Sequence, residues 1–255
     1  MKISPDEIVF FKIPISFSSY SFDIDINMTL VGTWLIMLGL FFTFRYITRD
    51  FNSNFKMTRL QNMVEVMVKF LRDQIEVMMK RRADAFLPLI GSLFVFILIS
   101  NWSSLLPIPF FVDNNIEWYM PPTSSISTTA ALSIVVMSSV MIYGMAKNGI
   151  VRYFKRFFEP IFILFPLNVL SEISSGASLA IRLYGNIMSG GLLASILFVL
   201  APLVLPGLIN IYGLLAGTIQ PYIFSVLATV YISAGMGDPT ESEMEELIKL
   251  QSGRI

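Results

Sequence analysis

Five apolar stretches, each about as long as a helix that crosses a lipid bilayer or longer, dominate the sequence. They span approximately residues 28–46, 86–106, 126–146, 160–201 and 207–236. A membrane-crossing helix needs about 20 predominantly apolar residues. Because 55% of the 255 residues are also hydrophobic and only 14% are charged, the sequence predicts an all-α integral membrane protein.

The last two stretches are too long to stand upright and unbroken in a membrane. As single helices, 160–201 and 207–236 would measure about 60 Å and about 45 Å, against a hydrocarbon core of about 30 Å. Four prolines interrupt this region, two at the turn between the stretches and two at predicted kinks: Pro202, Pro206, Pro166 and Pro221. We therefore expect a steeply tilted helical hairpin over residues 160–236.

Residues 56–82 have a different pattern, in which one face of a helix is apolar. The apolar members follow one another at steps of three or four: Met57, Leu60, Val64, Met67, Leu71, Ile75 and Met78. The other face takes polar and charged residues: Arg59, Asn62, Glu65, Lys69, Arg72, Glu76 and Lys80. The pattern predicts an amphipathic helix on the membrane surface or against a partner. A helix packed only on its own protein is the alternative.

The basic residues orient the chain, because short loops rich in Lys and Arg stay on the cytoplasmic side. They cluster after the first stretch, before the second and after the third: Arg45, Arg49, Lys56, Arg59, Lys80, Arg81, Arg82, Lys147, Arg152, Lys155 and Arg156. The loop 107–125 has none. Five passes with the N-terminus outside satisfy every loop. This predicts an outer segment 1–27, a membrane domain 28–236 and a cytoplasmic polar tail 237–255.

The composition also narrows the chemistry. The chain contains no Cys and no His, which removes disulfides, the usual zinc sites and imidazole catalysis. The net charge is zero, and no dense basic patch indicates nucleic acid as a partner. We expect no metal site, no cofactor and no catalytic residue.

Two charged residues, Glu172 and Arg182, stand alone between residues 160 and 237. A charge at mid-membrane costs at least about 2.5–3.5 kcal/mol, and such a residue usually faces a cavity, a partner or a transport path. An ion pair with Glu172, or with another buried carboxylate, is the structural alternative for Arg182. Ten residues correspond to about 15 Å along a helix and about 80° of rotation, so direct pairing with Glu172 is not expected.

Arg182 also lies at the centre of a strip of small residues. The strip follows one helix face at steps of three and four: Ser171, Ser175, Ser178, Gly185 and Ser189. The second half of the hairpin offers Gly213, Gly217 and Gln220. Small residues let another helix approach closely in a membrane. A smooth strip with one positive charge suits a partner that slides past, whereas a static contact explains only the small residues.

Two motifs make the sequence resemble a known family. "SLAIRLYGN" at 178–186 and "QPYIFSVLATVYIS" at 220–233 are similar to the arginine and last-helix motifs of subunit a of rotary F-type ATP synthases. "PPTSSISTTAAL" at 121–132 is a weaker likeness. "NIMSGGLL", directly after the arginine motif, is most similar to the bacterial subgroup called N-type ATPases, for which sodium is one expected coupling ion.

The resemblance implies a function. Subunit a is the stator that borders the ring of c subunits and provides two offset half-channels for H⁺ or Na⁺. An essential arginine faces the ring, so ion passage drives rotation and thereby ATP synthesis or hydrolysis. The ATP chemistry belongs to other subunits. The implied partners are the c-subunit ring, b-type peripheral-stalk subunits and membrane lipid. The implied location is a bacterial inner membrane, or alternatively an organellar inner membrane.

The resemblance also assigns residues to ion translocation. They are Arg182, Glu172, Asn186, Gln220, Asn168, Ser189 and Tyr231. Glu172 corresponds to the family's carboxylate on the cytoplasmic side, although a residue that merely solvates the helix end explains it too. The hydroxyls of Ser125, Ser127, Thr128 and Thr129 are further candidates on the outer side. They equally fit hydroxyls that bond back to their own helix.

The sequence departs from the family at three positions where many relatives carry ionisable groups. Here they are Gly191, Gly213 and Ser125. An outer path without those groups lacks a side-chain proton relay through them, and water in the space beside the glycines is the expected medium. The coupling ion stays open.

Two rival functions remain at this stage. A secondary transporter would also use a mid-membrane arginine, to bind an anionic substrate, but the sequence shows no internal repeat. A purely structural membrane subunit explains the apolar bulk but gives Arg182 no role.

Overall fold

The helical prediction is confirmed by a computed structural model. It describes residues 9–17, 20–49, 59–79, 82–104, 109–112, 115–118, 121–158, 162–200 and 205–237. Within these ranges the helices are α1 (Met28–Arg49), α2 (Arg59–Met79), α3 (Ala83–Ser103), α4 (Ile126–Asn148), α5 (Ile150–Arg156), α6 (Phe165–Leu200) and α7 (Leu205–Met236). Short 3₁₀ turns at Pro122–Ser124 and Phe162–Leu164 precede α4 and α6.

Two small antiparallel hairpins, which the sequence analysis did not predict, accompany the helices. Strands β1 (Val9–Phe17) and β2 (Tyr20–Asn27) pair with Phe17 opposite Tyr20. Strands β3 (Pro109–Val112) and β4 (Asn115–Trp118) pair in the predicted outer loop. The sequence of β1 and β2 alternates apolar and polar residues, which is the period of a strand.

Four of the helices are long and apolar enough to cross a membrane: Thr29–Arg49, Ala83–Ser103, Ile126–Asn148 and Ile211–Met236. At 36 and 32 residues, α6 and α7 are about 54 Å and about 48 Å long, well beyond the hydrocarbon thickness. The predicted pass of α6 and the tilt of the hairpin relative to the membrane remain predictions.

The prolines of the hairpin have different roles. Pro166 and Pro206 occupy the first turns of α6 and α7, where a missing N–H costs nothing. Pro202 lies outside the described residues. Of the three described prolines of the hairpin, Pro221 alone lies in a helix interior.

Helix α7 is the centre of the fold, since it packs against α2, α3, α4 and α6. Two buried clusters hold these helices together. The first joins α2, α3, α4 and α7 through Ile75, Met79, Ala83, Phe86, Ile90, Val140, Ile232 and Met236. The second joins α3, α4, α6 and α7 through Leu93, Ile97, Val136, Leu179, Leu183, Phe224 and Ala228.

The second half of helix α2 packs on its own protein. Leu71 and Ile75 of the predicted apolar face, together with Met79, are buried against α3 and α7. Leu60, by contrast, is exposed. Placement of α2 along the membrane surface therefore stays a prediction.

Pro221 leaves one backbone carbonyl of α7 without its helical donor, and a side chain of α3 supplies the missing hydrogen bond. Since proline has no N–H, the carbonyl of Gly217, four residues earlier, loses its helical donor. The Asn101 side-chain amide donates to that oxygen at 3.0 Å, and its own carbonyl accepts from Thr123 at 2.9 Å. Gly217 allows this approach, because a Cβ there would lie 3.4 Å from the Asn101 Cβ. Asn101 thus ties α3, the turn before α4 and α7 together.

The opposite end of α7 is capped by polar side chains from α4 and α5. Arg156 donates to the carbonyls of Ala234 and Gly235 at 2.8 and 2.9 Å, and Asn148 donates to Met236 at 2.9 Å. These bonds satisfy carbonyls that a helix end leaves without partners, and the positive charge suits the helix dipole. Arg156 is one of the basic residues that set the predicted orientation.

The interaction between Pro221 and Asn101 is testable with a double-mutant cycle. Asn101→Ala should lower the free energy of unfolding by about 1–3 kcal/mol, because it leaves a buried carbonyl unsatisfied. In a Pro221→Ala background a backbone N–H is available to Gly217, so the loss should shrink by about 0.5–1.5 kcal/mol. Thermal unfolding of the detergent-solubilised chain measures both.

Thr123→Val is the control, because it removes only the second hydrogen bond of Asn101. Equal losses from Asn101→Ala in the two backgrounds would contradict this explanation of the proline.

Candidate functional site

Arg182 lies on the open side of α6. Leu179 and Leu183, on the adjoining face, are almost completely buried against the other helices, whereas Arg182 is exposed. Among the residues that the structure describes, its side chain makes no hydrogen bond and no ion pair. The buried face of α6 therefore fixes the helix and leaves the guanidinium available to a partner.

Glu172 lies at the other end of the same helix region and does not pair with Arg182. Its carboxylate instead interacts electrostatically with the Tyr153 hydroxyl of α5. Burial raises the pKa of the Tyr153 hydroxyl, Glu172 raises that pKa further, and Arg156 lowers it. Asn168, one turn before Glu172, donates to the carbonyl of Phe157 at 2.9 Å. These two predicted residues thus lie together at the α5–α6 corner, some three turns from Arg182.

Asn186 and Gln220 are brought into direct contact. The Asn186 amide donates to the Gln220 side-chain oxygen at 3.0 Å, and Gln220 is only 3% exposed. The pair lies about one turn beyond Arg182 and joins α6 to α7. The sequence motifs predicted both residues but not their contact, which depends on the antiparallel register of the two helices.

The small-residue strip is largely a free surface in this chain. Ser171, Ser178 and Ser189 are exposed, and Ser175 and Gly185 are half-buried. The hydroxyls of Ser175 and Ser189 donate to carbonyls of their own helix, at 2.9 and 3.2 Å, so they present no unsatisfied donor.

The glycines of the region divide into two groups. A Cβ added at Gly185, Gly191 or Gly213 would meet no atom within 4 Å, outside its own helix backbone and its two chain neighbours. Packing within the chain therefore does not require glycine there. Gly217 differs, because it packs against Asn101 rather than lying on the open face.

The hydroxyls before and within α4 are mainly structural. Ser125 is the N-cap of α4 and accepts from the Ser127 backbone N–H at 3.2 Å. Thr129 is buried and donates to the carbonyls of Ser125 and Ile126, so for Thr129 the back-bonding interpretation is confirmed. Tyr231 is half-buried and packs against both core clusters.

The sequence analysis missed Asn101 and Thr123. Their signal was indirect: a proline within an apolar stretch implies an orphaned carbonyl four residues earlier, and a buried amide elsewhere is a natural donor. The position of that donor follows only from the packing of α3 on α7.

Together, the apolar helices and the open face around Arg182 define a multi-pass helical membrane protein whose long helix α6 exposes an arginine without a partner among the described residues. The sequence profile of the ATP synthase A chain matches residues 30–233. A Crocosphaera subtropica protein named ATP synthase subunit a 1 is 40% identical over 92% of this chain and 95% of its own length.

Two further relatives cover nearly the whole chain. The Picosynechococcus protein named ATP synthase subunit a 2 is 37% identical over 98% of this chain and 99% of its own length. The subunit a of Nitrosospira multiformis is 36% identical over 95% and 89% respectively. The chain therefore belongs to the ATP synthase A chain family, whose members are components of the membrane sector of ATP synthases and assemble with the other subunits.

Two glycine substitutions test whether the face around Arg182 is free. Gly185→Ala should leave the free energy of unfolding unchanged or raise it by up to about 1 kcal/mol, because the methyl group meets empty space and alanine favours helix. Gly144→Ala should lower it by about 1–3 kcal/mol, because its Cβ would lie 2.5 Å from Tyr153 and 2.8 Å from the Gly235 carbonyl. Thermal unfolding of the two purified variants gives the comparison. A larger loss for Gly185→Ala would show that the face is packed.

Proposed function

We propose that this chain is the stator of a rotary ATP synthase and that Arg182 faces the carboxylates of the ring of c subunits. The observation that carries the proposal is the exposed Arg182 side chain, which has no hydrogen bond or ion pair to any described residue. An unpaired charge at membrane depth is costly, so an external anion is the expected partner.

The chemistry follows from the positive charge. A ring carboxyl that carries its proton or sodium ion is neutral and tolerates lipid, whereas the ionised form does not. Beside Arg182 the ionised form is favoured, because a neighbouring positive charge lowers the pKa of a carboxyl group. The ion is therefore released at Arg182, and the same positive charge repels a cation that would leak between the two access paths.

The small-residue strip gives the ring a surface past which it moves. Ser171, Ser175, Ser178, Gly185 and Ser189 present short side chains on both sides of Arg182, and Gly213 extends the open surface on α7. Short side chains permit close helix approach without interlocking. Gly217 is left out of this surface because it contacts Asn101.

We assign the two access paths to opposite ends of the hairpin. Glu172 and Asn168, near the basic α5 corner, belong to the cytoplasmic path. Asn186, Gln220 and Ser189 belong to the outer path. Tyr231 lies nearer the end of α7 that Arg156 caps. The open space beside Gly191 and Gly213 supports water as the medium of the outer path. Ions cross only when the ring carries them from one path to the other.

The arrangement of the remaining parts follows from this assignment. The end of α7 with its Arg156 cap lies on the cytoplasmic side of a bacterial inner membrane or its organellar counterpart, and the N-terminus lies outside. The peripheral stalk's b-type subunits hold the chain against the torque of the ring. The family assignment favours this stator over the secondary transporter considered from sequence.

Replacement of the arginine tests the proposal. In the complete complex, Arg182→Ala should reduce ATP-driven ion transport into vesicles by at least about tenfold, because the release of ions from the ring loses its electrostatic support. Arg72→Ala is the matched control: Arg72 pairs with Asp84 at 2.8 Å on the exposed surface, where an ion pair contributes little. Dye-monitored acidification and radioactive sodium uptake are the readouts. Undiminished coupled transport with Arg182→Ala would favour a structural subunit.

The same vesicles identify the coupling ion. Uptake of radioactive sodium that a protonophore enhances indicates a primary sodium pump, because the protonophore removes the opposing potential. Acidification that is the same with and without sodium indicates a proton machine.

A further inference from the structure

The short helix α5 has three distinct sides. One side faces the protein: Tyr153 is 3% exposed, and Arg156 donates to the α7 carbonyls. The next side is apolar and open, with Ile150, Val151 and Phe154 exposed to 65%, 83% and 50%. The third side carries Arg152 and Lys155.

The charged groups on the basic side of α5 have no partner among the described residues. Arg152 and Lys155 are exposed and three residues apart, so they are neighbours on the helix surface. Within the described part of the chain, neither side chain forms a hydrogen bond or ion pair. The sequence contains no Asp or Glu from Trp118 to Phe158, and the next residue, Glu159, lies outside the described residues. Glu172 of α6 raises the pKa of Tyr153, which lies on the protein side of α5.

Helix α5 directly follows a helix that is long and apolar enough to cross a membrane. Helix α4 is a membrane-crossing candidate that ends at Asn148, and Gly149 turns the chain with a φ of 79°. Helix α5 then folds back, since Tyr153 lies so close to Gly144 that a Cβ there would be 2.5 Å from its ring. The exposed apolar side of α5 is therefore held next to the end of this candidate span.

We propose that Arg152 and Lys155 bind the phosphate headgroup of an anionic phospholipid whose acyl chains contact Ile150, Val151 and Phe154. Charge complementarity supplies the attraction, since basic residues at an interface select anionic lipids. The adjoining apolar side favours a lipid over an acidic protein surface, because a lipid places an anion and hydrocarbon next to each other. Helix α5 also carries Arg156, which caps the end of α7. A lipid bound to α5 therefore stabilises the position of this cap.

A lipid-selective quenching experiment on the full chain in vesicles tests this site. The chain has no Cys, so Val151→Cys gives a single position for a fluorescent label. Quenching by spin-labelled phosphatidylglycerol is compared with quenching by equally labelled phosphatidylcholine at the same mole fraction. One basic residue enriches an anionic lipid by about fivefold at contact. For two residues averaged with bulk lipid we expect quenching at least about threefold stronger by phosphatidylglycerol.

Ile134→Cys is the matched control position. Ile134 is 64% exposed on α4, and the sequence has no charged residue from Trp118 to Ala146, so the two lipids should quench its label about equally. Adding Arg152→Gln and Lys155→Gln to Val151→Cys should bring that ratio to about one as well. Equal quenching at residue 151 with both basic residues intact would overturn the proposal. Absence of quenching by either lipid would overturn it too, because α5 would then be covered by protein.

Discussion

The lipid bilayer offers no water to backbone groups, and this constraint shapes the central helix of the fold. Every N–H and C=O at membrane depth must find its partner within the protein. Helix α7 leaves backbone carbonyls without helical donors near Pro221 and again at its C-terminal end. Side chains of neighbouring helices donate hydrogen bonds to the carbonyls at both places. Asn101 of α3 bonds the Gly217 carbonyl, while Asn148 and Arg156 bond the last carbonyls. These hydrogen bonds hold α7 against α3, α4 and α5. The position of α7 in turn places Gln220 beside Asn186.

The same constraint applies to the charged side chain of Arg182. The chain satisfies backbone carbonyls on α7 and serine hydroxyls along α6, yet it leaves the most costly group, a guanidinium, without a partner among its described residues. Around that group the side chains are short and the glycines adjoin open space. An exposed guanidinium in these surroundings is suited to bind an anion from another molecule. In a family of ATP synthase subunits, the ring carboxylate is the partner that we propose.

Sequence reasoning succeeded where the signal was local and failed where it depended on packing. The five long helices and the helical segment at α2 followed from apolar length and period, and Arg182 stood out because charge is rare in the hairpin. The contact between Asn186 and Gln220 needed the register of two helices. The donor for Gly217 needed a helix more than one hundred residues away. Spacing alone placed Gly217 on the strip, and its contact with Asn101 of α3 was not predicted. The β1–β2 hairpin was missed, although the alternation in its sequence was visible.

The central claim is that the open face of α6 around Arg182 lies against the ring. Disulfide cross-linking in the complete complex tests it directly, since this chain contributes no native Cys. Ser178→Cys, one turn from Arg182 on the strip, should form a disulfide with a cysteine placed next to the ring carboxylate. Ile134→Cys, which is exposed on α4, should not. Cross-linking from Ile134→Cys but not from Ser178→Cys would contradict the account.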